Sequence, residues 1–244
     1  MRHFGHRWVF CSALALSACS RCIGPAVRGN GVERTEARKI AQPFDQVALE
    51  TDAVVDVAVG SPAAVTVTCD ANLVPYIGTL VHSGSLLIGR QKNHRGVWLR
   101  PTKSCEVQVT TPTLTKVTNS GAGILTLAGV RAPAFDIVES GAGKIEATAL
   151  DVEHLRLVLS GAGSLTVSGK AHAEEITLSG TGLVAAKGLI AEQAGADLSG
   201  AGAIELTATK DFEGKLTGLG KVSVAGNPKD RHVTQSGLGT VAYE

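Results

Sequence analysis

Carboxylates are the first candidates for chemistry in this chain, because cleavage of a glycosidic bond needs two of them at a fixed separation. Glu146 and Glu205 stand at equivalent points of a repeating pattern, three repeats apart. Adjacent strands lie about 4.8 Å apart, so three repeats would separate the two side chains by roughly 14 Å, which is too far. Glu139 would approach Glu146 across one turn, and Glu174 and Glu175 are adjacent. Neither pair has a supporting column of His, Arg or Asp, so we expect acids on a solvated face.

Histidines are the second candidates, because they ligate metals and transfer protons near neutral pH. His154 and His172 belong to successive repeats and could be surface neighbours, but the sequence spaces no third ligand near them. We therefore predict no catalytic residue, no metal site and no cofactor. The histidines after residue 18 lack HxH or HxxxH spacing and are His82, His94, His154, His172 and His232.

A glycine-rich phrase, Ser/Thr-Gly-x-Gly, is the third candidate, because such phrases can bind phosphate. Phosphate loops open a helix, whose N-terminus adds a positive dipole. Here each copy opens a strand-like alternation, and no copy contains Gly-Lys-Ser/Thr, so we interpret the phrase as a structural corner. The seven copies begin at Ser120, Ser140, Ser160, Ser179, Ser199, Thr217 and Ser236, at intervals of 20, 20, 19, 20, 18 and 19 residues.

The residues around each phrase alternate between apolar and polar, which predicts strands with one buried face. Four copies have leucine directly before the phrase, and five have an aliphatic residue three positions before it. Each repeat therefore consists of a strand, a glycine corner, a second strand and a connector. Two positions after the second glycine, the seven copies have Leu125, Ile145, Leu165, Val184, Ile204, Val222 and Val241.

A fixed period near 20 residues over half of the chain is typical of a solenoid, in which each unit buries its apolar face against the next. We predict an all-β fold, a β-helix-like solenoid with a repeat of about 20 residues from 117 to 244. The corner glycines would supply either a positive φ or room for one backbone to approach another. The sequence does not distinguish a solenoid in which one repeat makes a full turn from one in which two repeats share a turn. The corner glycines are Gly121, Gly123, Gly141, Gly143, Gly161, Gly163, Gly180, Gly182, Gly200, Gly202, Gly218, Gly220, Gly237 and Gly239.

The first half of the chain is also predicted to be β-structure, since alternating runs continue from residue 40 to residue 110 without the glycine phrase. One short helix is expected between Leu73 and Leu80. Residues 19–39 contain glycine, proline and mixed charge without periodicity, which predicts a tether. The folded domain is therefore expected to span residues 40–244.

The N-terminus has the pattern of an export signal. Basic residues precede an apolar run over residues 8–16, which is too short to span a bilayer, and a signal peptide is predicted for residues 1–18. Leu-Ser-Ala-Cys at residues 16–19 resembles the bacterial lipobox, which implies a membrane anchor through acylated Cys19. Ser20 resembles the signal for the outer membrane, so we expect a periplasmic or surface-facing lipoprotein. The alternative is a secretory signal that happens to contain a cysteine.

Cysteine usage agrees with export. Cys11 would be removed with the signal and Cys19 would be acylated. Cys69 and Cys105 both fall in the folded part, so they are the expected disulfide in an oxidising compartment. Cys22 would be left over in the tether.

The charge of the chain argues against binding to nucleic acid. Removal of residues 1–18 leaves 21 basic and 22 acidic residues, a net charge of −1, whereas phosphate binding needs concentrated positive charge. The most basic stretch runs from Arg90 to Lys103. We interpret it as a solvated loop, and a site for a polyanion or lipid headgroup is the alternative. Trp98 in this stretch is expected to pack in the core or at its rim. The alternative is an exposed tryptophan beside these cations that contacts lipid or sugar.

The order of motifs resembles a known family. Cys19 and its tether are followed by Phe44-Asp45-Gln46-Val47, then Leu86-Leu87-Ile88, then residues 107–114 leading into the first Ser-Gly-Ala-Gly. This order resembles the head GIN domain family, whose members are labelled auto-transporter adhesins. The resemblance covers residues 40–244 and implies a right-handed β-helix-like solenoid on an exported, often lipid-anchored bacterial protein. It implies no catalytic residues.

These patterns together predict a non-enzymatic cell-envelope lipoprotein whose solenoid is an adhesion or interaction module, with a glycan or an envelope protein as partner. One alternative is a polysaccharide-active β-helix enzyme. Another is an envelope lipid-binding protein with an apolar channel. The last repeat, which includes Tyr243 and Glu244, would present open strand edges, so an edge-to-edge homodimer is a further hypothesis.

Overall fold

The structure is a computed structural model that describes residues 26–94 and 96–244. These residues form strands and two 3₁₀ helices, at Val74–Tyr76 and Lys92–His94. The strands are β1 (Ala26–Arg28), β2 (Glu33–Ala37), β3 (Gln46–Leu49), β4 (Val54–Val59), β5 (Ala64–Asp70), β6 (Ile77–His82), β7 (Ser85–Arg90), β8 (Trp98–Arg100), β9 (Glu106–Thr111), β10 (Lys116–Asn119), β11 (Ile124–Ala128), β12 (Arg131–Glu139), β13 (Lys144–Leu159), β14 (Ser164–Leu178), β15 (Leu183–Leu198), β16 (Ala203–Leu216), β17 (Lys221–Ala225), β18 (Asp230–Gln235) and β19 (Thr240–Tyr243).

The second half of the chain is a β-solenoid, as the repeats predict. Residues one repeat apart are register partners on adjacent parallel strands, so Ile137 pairs with Leu157 and Leu157 pairs with Ile176. One repeat therefore makes one turn of the chain, which we call a rung, and register partners on successive rungs form a column. This register resolves the choice between one and two repeats per turn.

Each rung bends at the glycine corner and again within the connector. The register shifts between Ala147 and Leu150, and Ala149 has a φ of 53°. On the next rung Gly169 has a φ of 135°. Such bulges bend a strand sharply, so β13–β16 can each run from one glycine corner to the next as a single bent strand.

Aliphatic columns fill the interior of the rungs. The column from Leu125 to Val222 is fully buried on all six rungs, and its last member, Val241, is half-buried. Burial of one such side chain stabilises the fold by about 1.5–3 kcal/mol. The alternation in sequence therefore identified the core of the repeats correctly.

The first rung of the chain lies inside the stack rather than at its end. Val47 in β3 pairs with Val117 in β10 on one side and with Leu86 in β7 on the other. Strand β4 is likewise flanked by β11 and β9. The spatial order of rungs is therefore β7/β9, then β3/β4, then β10/β11.

Antiparallel strands extend this end of the solenoid. β5 pairs antiparallel with β9 and with β2, and β6 pairs antiparallel with β7. β1 pairs parallel with β8 in a separate sheet, so residues 26–28 and 33–37 of the predicted tether both form strands. Their sequence lacks an apolar alternation because β2 is an edge strand with four of five residues exposed. The helix expected between Leu73 and Leu80 is wrong except for the 3₁₀ turn, since β6 begins at Ile77.

Two contacts fasten the N-terminal strands to the solenoid. Cys69 and Cys105 form a disulfide, with 4.5 Å between their Cα atoms. The buried Asp70 carboxylate accepts hydrogen bonds from the backbone N–H of Gly31 at 2.7 Å and of Thr102 at 2.8 Å. These hydrogen bonds, led by the Thr102 N–H, lower the pKa of Asp70.

Candidate binding surfaces

The glycine corners are positions of close backbone approach. A Cβ on Gly141 would lie under 3.0 Å from the Gly121 carbonyl oxygen, and a Cβ on Gly161 would lie equally close to the Gly141 oxygen. The described glycines with positive φ all lie outside the seven phrases. Of the two explanations that the sequence offers for these glycines, close approach therefore applies. The structure also explains why the phrase does not form a phosphate loop, since Ala142 N–H donates to the Gly121 oxygen at 3.0 Å and is already satisfied.

The stacked corners form a shallow groove of about 730 Å³, which we call the corner groove. It runs along the phrases from Ser160 to Leu238, and the serines on it are exposed. Leu219 and Leu238 are exposed by 58% and 84% at one end of it. The corner groove offers small hydroxyl groups and a few apolar side chains to a partner, without a charged group in its lining.

One inward-facing column carries polar residues among leucines. Asn119, Glu139 and Gln235 stand in the column that Leu159, Leu178, Leu198 and Leu216 otherwise occupy. Glu139 is fully buried, so the expectation that it lies on a solvated face is wrong. Its Oε1 accepts a hydrogen bond from the Gly141 N–H at 2.8 Å, and desolvation raises the pKa of its carboxyl.

Glu174 is the second carboxylate that the structure buries. It is 3% exposed and stands in an inward column between Leu155 and Ala194. Neither carboxylate oxygen has a hydrogen-bond partner among the described residues, and burial raises the pKa of Glu174 to about 8. Glu175 alone of this pair is on the solvated face as expected. The column alignment, rather than the residue type, was the signal that could have identified both buried acids.

A second groove, of about 500 Å³, crosses four successive rungs over the connectors, and we call it the connector groove. Ala194 and Gly195 leave space in it because both side chains are small, and the buried Phe212 lies on the following rung. Gln193 Nε2 donates to Asp211 Oδ2 at 3.1 Å. The polar residues that line the connector groove are Glu174, Gln193, Asp211, Glu213, Asp230, Arg231 and His232.

Aromatic packing closes the interior of the solenoid beside the connector groove. The Tyr243 ring meets Phe212 edge-on, with 6.2 Å between centroids. The Arg231 guanidinium carbon lies 4.2 Å from the centroid of Tyr243, within the range of a cation–π interaction. The Arg231 side chain of the connector groove is thereby held against Tyr243, which in turn packs on the buried Phe212.

The other candidate residues from the sequence do not form a site. Glu146 and Glu205 are separated by two intervening rungs, as predicted. His154 pairs in register with Ala173, next to His172, whose Nδ1 lies 3.2 Å from Glu192. Residues 26–94 and 96–244 contain no cluster of three potential metal ligands and no helix long and apolar enough to cross a membrane. Cys19 and Cys22 lie outside the described residues.

Trp98 departs from its expected position. It is 59% exposed, whereas the sequence predicts packing in the core or at its rim. The alternation within β8 gives the reason, because the intermediate Leu99 faces the core and its two neighbours therefore face solvent.

The stacked parallel rungs with aliphatic columns define a β-solenoid protein with open surface grooves. The chain belongs to the family described as "Putative auto-transporter adhesin, head GIN domain", whose model matches residues 43–228. The resemblance inferred from the order of motifs is thereby confirmed. No curated protein is similar to the chain in sequence.

Several solved structures share this fold. A Bacteroides fragilis protein described as a "putative adhesin" has a TM-score of 0.82 at 20% identity, covering 89% of this chain and 100% of its own. A Parabacteroides distasonis "putative lipid binding protein" has a TM-score of 0.70 at 21% identity, covering 90% and 99%. A Parabacteroides merdae "putative adhesin" has a TM-score of 0.65 at 20% identity, covering 91% and 100%. At these identities the similarity shows the fold alone.

Proposed function

We propose that the protein is an exported, lipid-anchored component of the cell envelope whose solenoid is a non-enzymatic adhesion or interaction module. Membership of an adhesin-labelled family supports this role. The signal-like residues 1–18 and the lipobox ending at Cys19 support export and anchoring in the outer membrane. The partner that we propose is a glycan chain of the envelope or of a neighbouring cell.

The connector groove is the observation that carries this proposal. It is open along its length and crosses four rungs, so it presents amide, carboxylate, guanidinium and imidazole groups at intervals of about 4.8 Å. An extended polymer of hydroxyl-bearing units can form hydrogen bonds with such a row at several points. Repeat proteins commonly use extended surfaces in this way. An envelope protein with an exposed polar strand is the alternative occupant.

A polysaccharide-active enzyme is the second candidate, because Asp211 and Asp230 are register partners in the groove and Glu213 and His232 lie on the same lining. Glu174, whose pKa is strongly raised, is unsuited to protonate a glycosidic oxygen, since both of its carboxylate oxygens are shielded from solvent.

A lipid-binding protein with an apolar channel is not supported either. The interior of the solenoid is filled with packed side chains, which argues against such a channel.

A glycan array tests the adhesion role directly. The mature protein is applied to bacterial envelope polysaccharides and animal glycans, together with the groove variant Gln193→Ala/Asp211→Ala/His232→Ala. We expect at least a tenfold weaker signal for this variant, and an unchanged signal for the matched control Ser179→Ala in the corner groove. The adhesion role fails if the wild-type protein binds neither these glycans nor an envelope protein. Release of reducing ends from a bound polysaccharide would favour the enzyme.

The anchor has its own test. Mass spectrometry of the N-terminal peptide from membranes should show acylated Cys19, and Cys19→Ala should move the protein from the membrane to the soluble fraction. An unmodified Cys19 thiol on the mature protein would contradict the anchor while leaving the groove untouched.

A further inference from the structure

Strands β1 and β8 form a two-stranded parallel ribbon outside the main sheet. Ala26 pairs with Trp98, Val27 with Leu99 and Arg28 with Arg100. Val27 and Leu99 pack against the core. Because side chains alternate along a strand, Trp98, Arg28 and Arg100 all project from the opposite, solvent-facing side of the ribbon. We call these three residues the ribbon patch.

The two arginines of the ribbon patch are exposed and differ from other arginines at this end of the molecule. Arg38 is 2.7 Å from Glu36, and Arg90 is 3.7 Å from Asp52. Within residues 26–94 and 96–244, neither Arg28 nor Arg100 has a carboxylate within 4.0 Å. Two guanidinium groups and one indole are thus available together to an external partner.

The ribbon is firmly attached to the domain. The Gly29 N–H donates to the Arg100 oxygen at 2.9 Å, and Asn72 Nδ2 donates to the Arg28 oxygen at 2.8 Å. The Asp70 carboxylate holds Thr102, two residues after β8. The orientation of the ribbon patch is therefore fixed relative to the solenoid.

The position of the ribbon in the chain identifies its partner. β1 begins at Ala26, seven residues after Cys19, and seven residues span at most about 25 Å. If Cys19 is acylated, this end of the domain remains within that distance of the bilayer surface. Tryptophan favours the interface between headgroups and acyl chains, and arginine binds phosphate in a bidentate manner.

We propose that the ribbon patch rests on the phosphate-bearing headgroup layer of the membrane that holds the lipid anchor. This inference relies on the proposed anchor at Cys19 and deepens it. The anchor supplies the attachment, and Trp98, Arg28 and Arg100 fix the tilt of the solenoid on the surface. The connector groove, several rungs away on β14–β18, is then held away from the bilayer and open to a partner.

Trp98 provides its own probe, because the chain has two tryptophans and Trp8 lies in the predicted signal peptide. The lipidated protein is reconstituted in vesicles of phosphatidylethanolamine and phosphatidylglycerol, 3:1, with brominated acyl chains that quench a nearby indole. We expect quenching of at least half of the Trp98 fluorescence. The matched control Trp98→Phe/Leu238→Trp has its single mature tryptophan on the exposed corner groove, and its fluorescence should be unchanged. Equal quenching of the two proteins, or of neither, overturns the inference.

Charge variants test the arginines separately. Arg28→Gln/Arg100→Gln should reduce Trp98 quenching at least threefold and remove its dependence on the phosphatidylglycerol fraction. Arg131→Gln, which changes an exposed arginine of the solenoid, is the control and should have no effect. Unaltered quenching in the double variant contradicts the role of Arg28 and Arg100.

The failure of this inference is distinguishable from failure of the anchor. A Cys19→Ala protein with a hexahistidine tag in place of the signal peptide is attached to the same vesicles through a nickel-chelating lipid. Quenching there, combined with an unmodified Cys19 in cells, supports the ribbon patch and refutes the anchor. An acylated Cys19 with no quenching refutes the ribbon patch alone. A Trp98 spectrum that responds to soluble glycans and not to vesicles assigns the patch to a sugar and overturns the inference.

Discussion

Glu139 lies next to Asn119 in one inward-facing column, where four later rungs have leucine. The Asn119 side chain makes two hydrogen bonds to the glycine corner that follows it. Its Oδ1 accepts from the Gly121 N–H at 3.1 Å, and its Nδ2 donates to the Gly123 oxygen at 3.0 Å. Gln235 likewise donates to the Gly239 oxygen at 2.6 Å. Glu139 makes only the accepting half of this pattern, and its Oε2 has no partner among the described residues. A protonated Oε2 would supply the donor that Asn119 and Gln235 supply with an amide.

Glu139→Gln should therefore stabilise the protein at pH 8 by about 1 kcal/mol, because an amide donates without having to bind a proton. The pKa of Glu139 is raised in the folded state, so its contribution is full below the unfolded pKa of about 4.5 and decreases as the pH rises. The gain from Glu139→Gln should accordingly be smaller at pH 4 than at pH 8 in urea denaturation. Glu146→Gln, on the solvated face, is the control and should change little. A variant less stable than wild type at pH 8 would contradict this account.

Glu174 should make stability decrease as the pH rises. Burial raises the pKa of Glu174 from its ordinary value of 4.5 to about 8 in the folded state, so between these pH values the folded state binds one more proton than the unfolded state. The free energy of unfolding should fall by about 3 kcal/mol from pH 4.5 to pH 7 through this one group, at about 1.4 kcal/mol per pH unit. Glu174→Gln should remove that slope, and Glu175→Gln, one residue away and exposed, should retain it. Equal pH profiles for wild type and Glu174→Gln would refute the assignment.

Gly161→Ala should destabilise the protein by about 1–3 kcal/mol or more, because its Cβ would lie under 3.0 Å from the backbone of the preceding corner, which cannot move aside cheaply. The matched control is Gly195→Ala, whose nearest contact would be the Glu174 backbone oxygen at 3.9 Å. This second variant should be neutral or stabilising by about 0.4–1 kcal/mol, since alanine restricts the unfolded chain. Thermal unfolding followed by circular dichroism compares the two, and similar losses would argue against the corner mechanism.

The Cys69–Cys105 disulfide closes a loop of 36 residues in sequence separation. Cys69→Ala/Cys105→Ala should lower the free energy of unfolding by about 2–4 kcal/mol, chiefly because the unfolded chain regains conformational freedom. A thiol assay on the denatured, unreduced wild-type protein should find neither cysteine free. Detection of both thiols would show that the bond is not formed in the protein as isolated.

The repeats are predictable from the sequence because the residues that define each repeat lie close together in the chain. Alternation and a fixed period identify the column from Leu125 to Val241 and the corners without any knowledge of distant contacts. Residue type alone predicts that Glu139 and Glu174 lie on the solvated face, which is wrong; the alignment of Glu139 with Leu159 in the next repeat indicates an inward position. In such a fold, the position of a residue in its column predicts its burial better than its residue type does.

The N-terminal half and the grooves were less accessible to prediction. Pairing of β3 with β10 joins residues 70 positions apart, and no periodicity encodes it. Strand β2 has no buried face to produce an alternation. The connector groove depends on the small side chains Ala194 and Gly195 beside the large Phe212, a difference between rungs that only the register brings together.

The interior position of the first rung has a consequence for the order in which the chain folds. Strands β3 and β4 keep one edge unpaired until residues 116–128 have been synthesised, and their pairing with β10 and β11 requires closure of a long loop. We expect the folding nucleus to include β3 and β10, with the remaining rungs adding in sequence order. Val47→Ala should therefore slow refolding in stopped-flow experiments, whereas Val222→Ala should mainly accelerate unfolding. On this expectation, a solenoid that is repetitive in structure begins its assembly at one place.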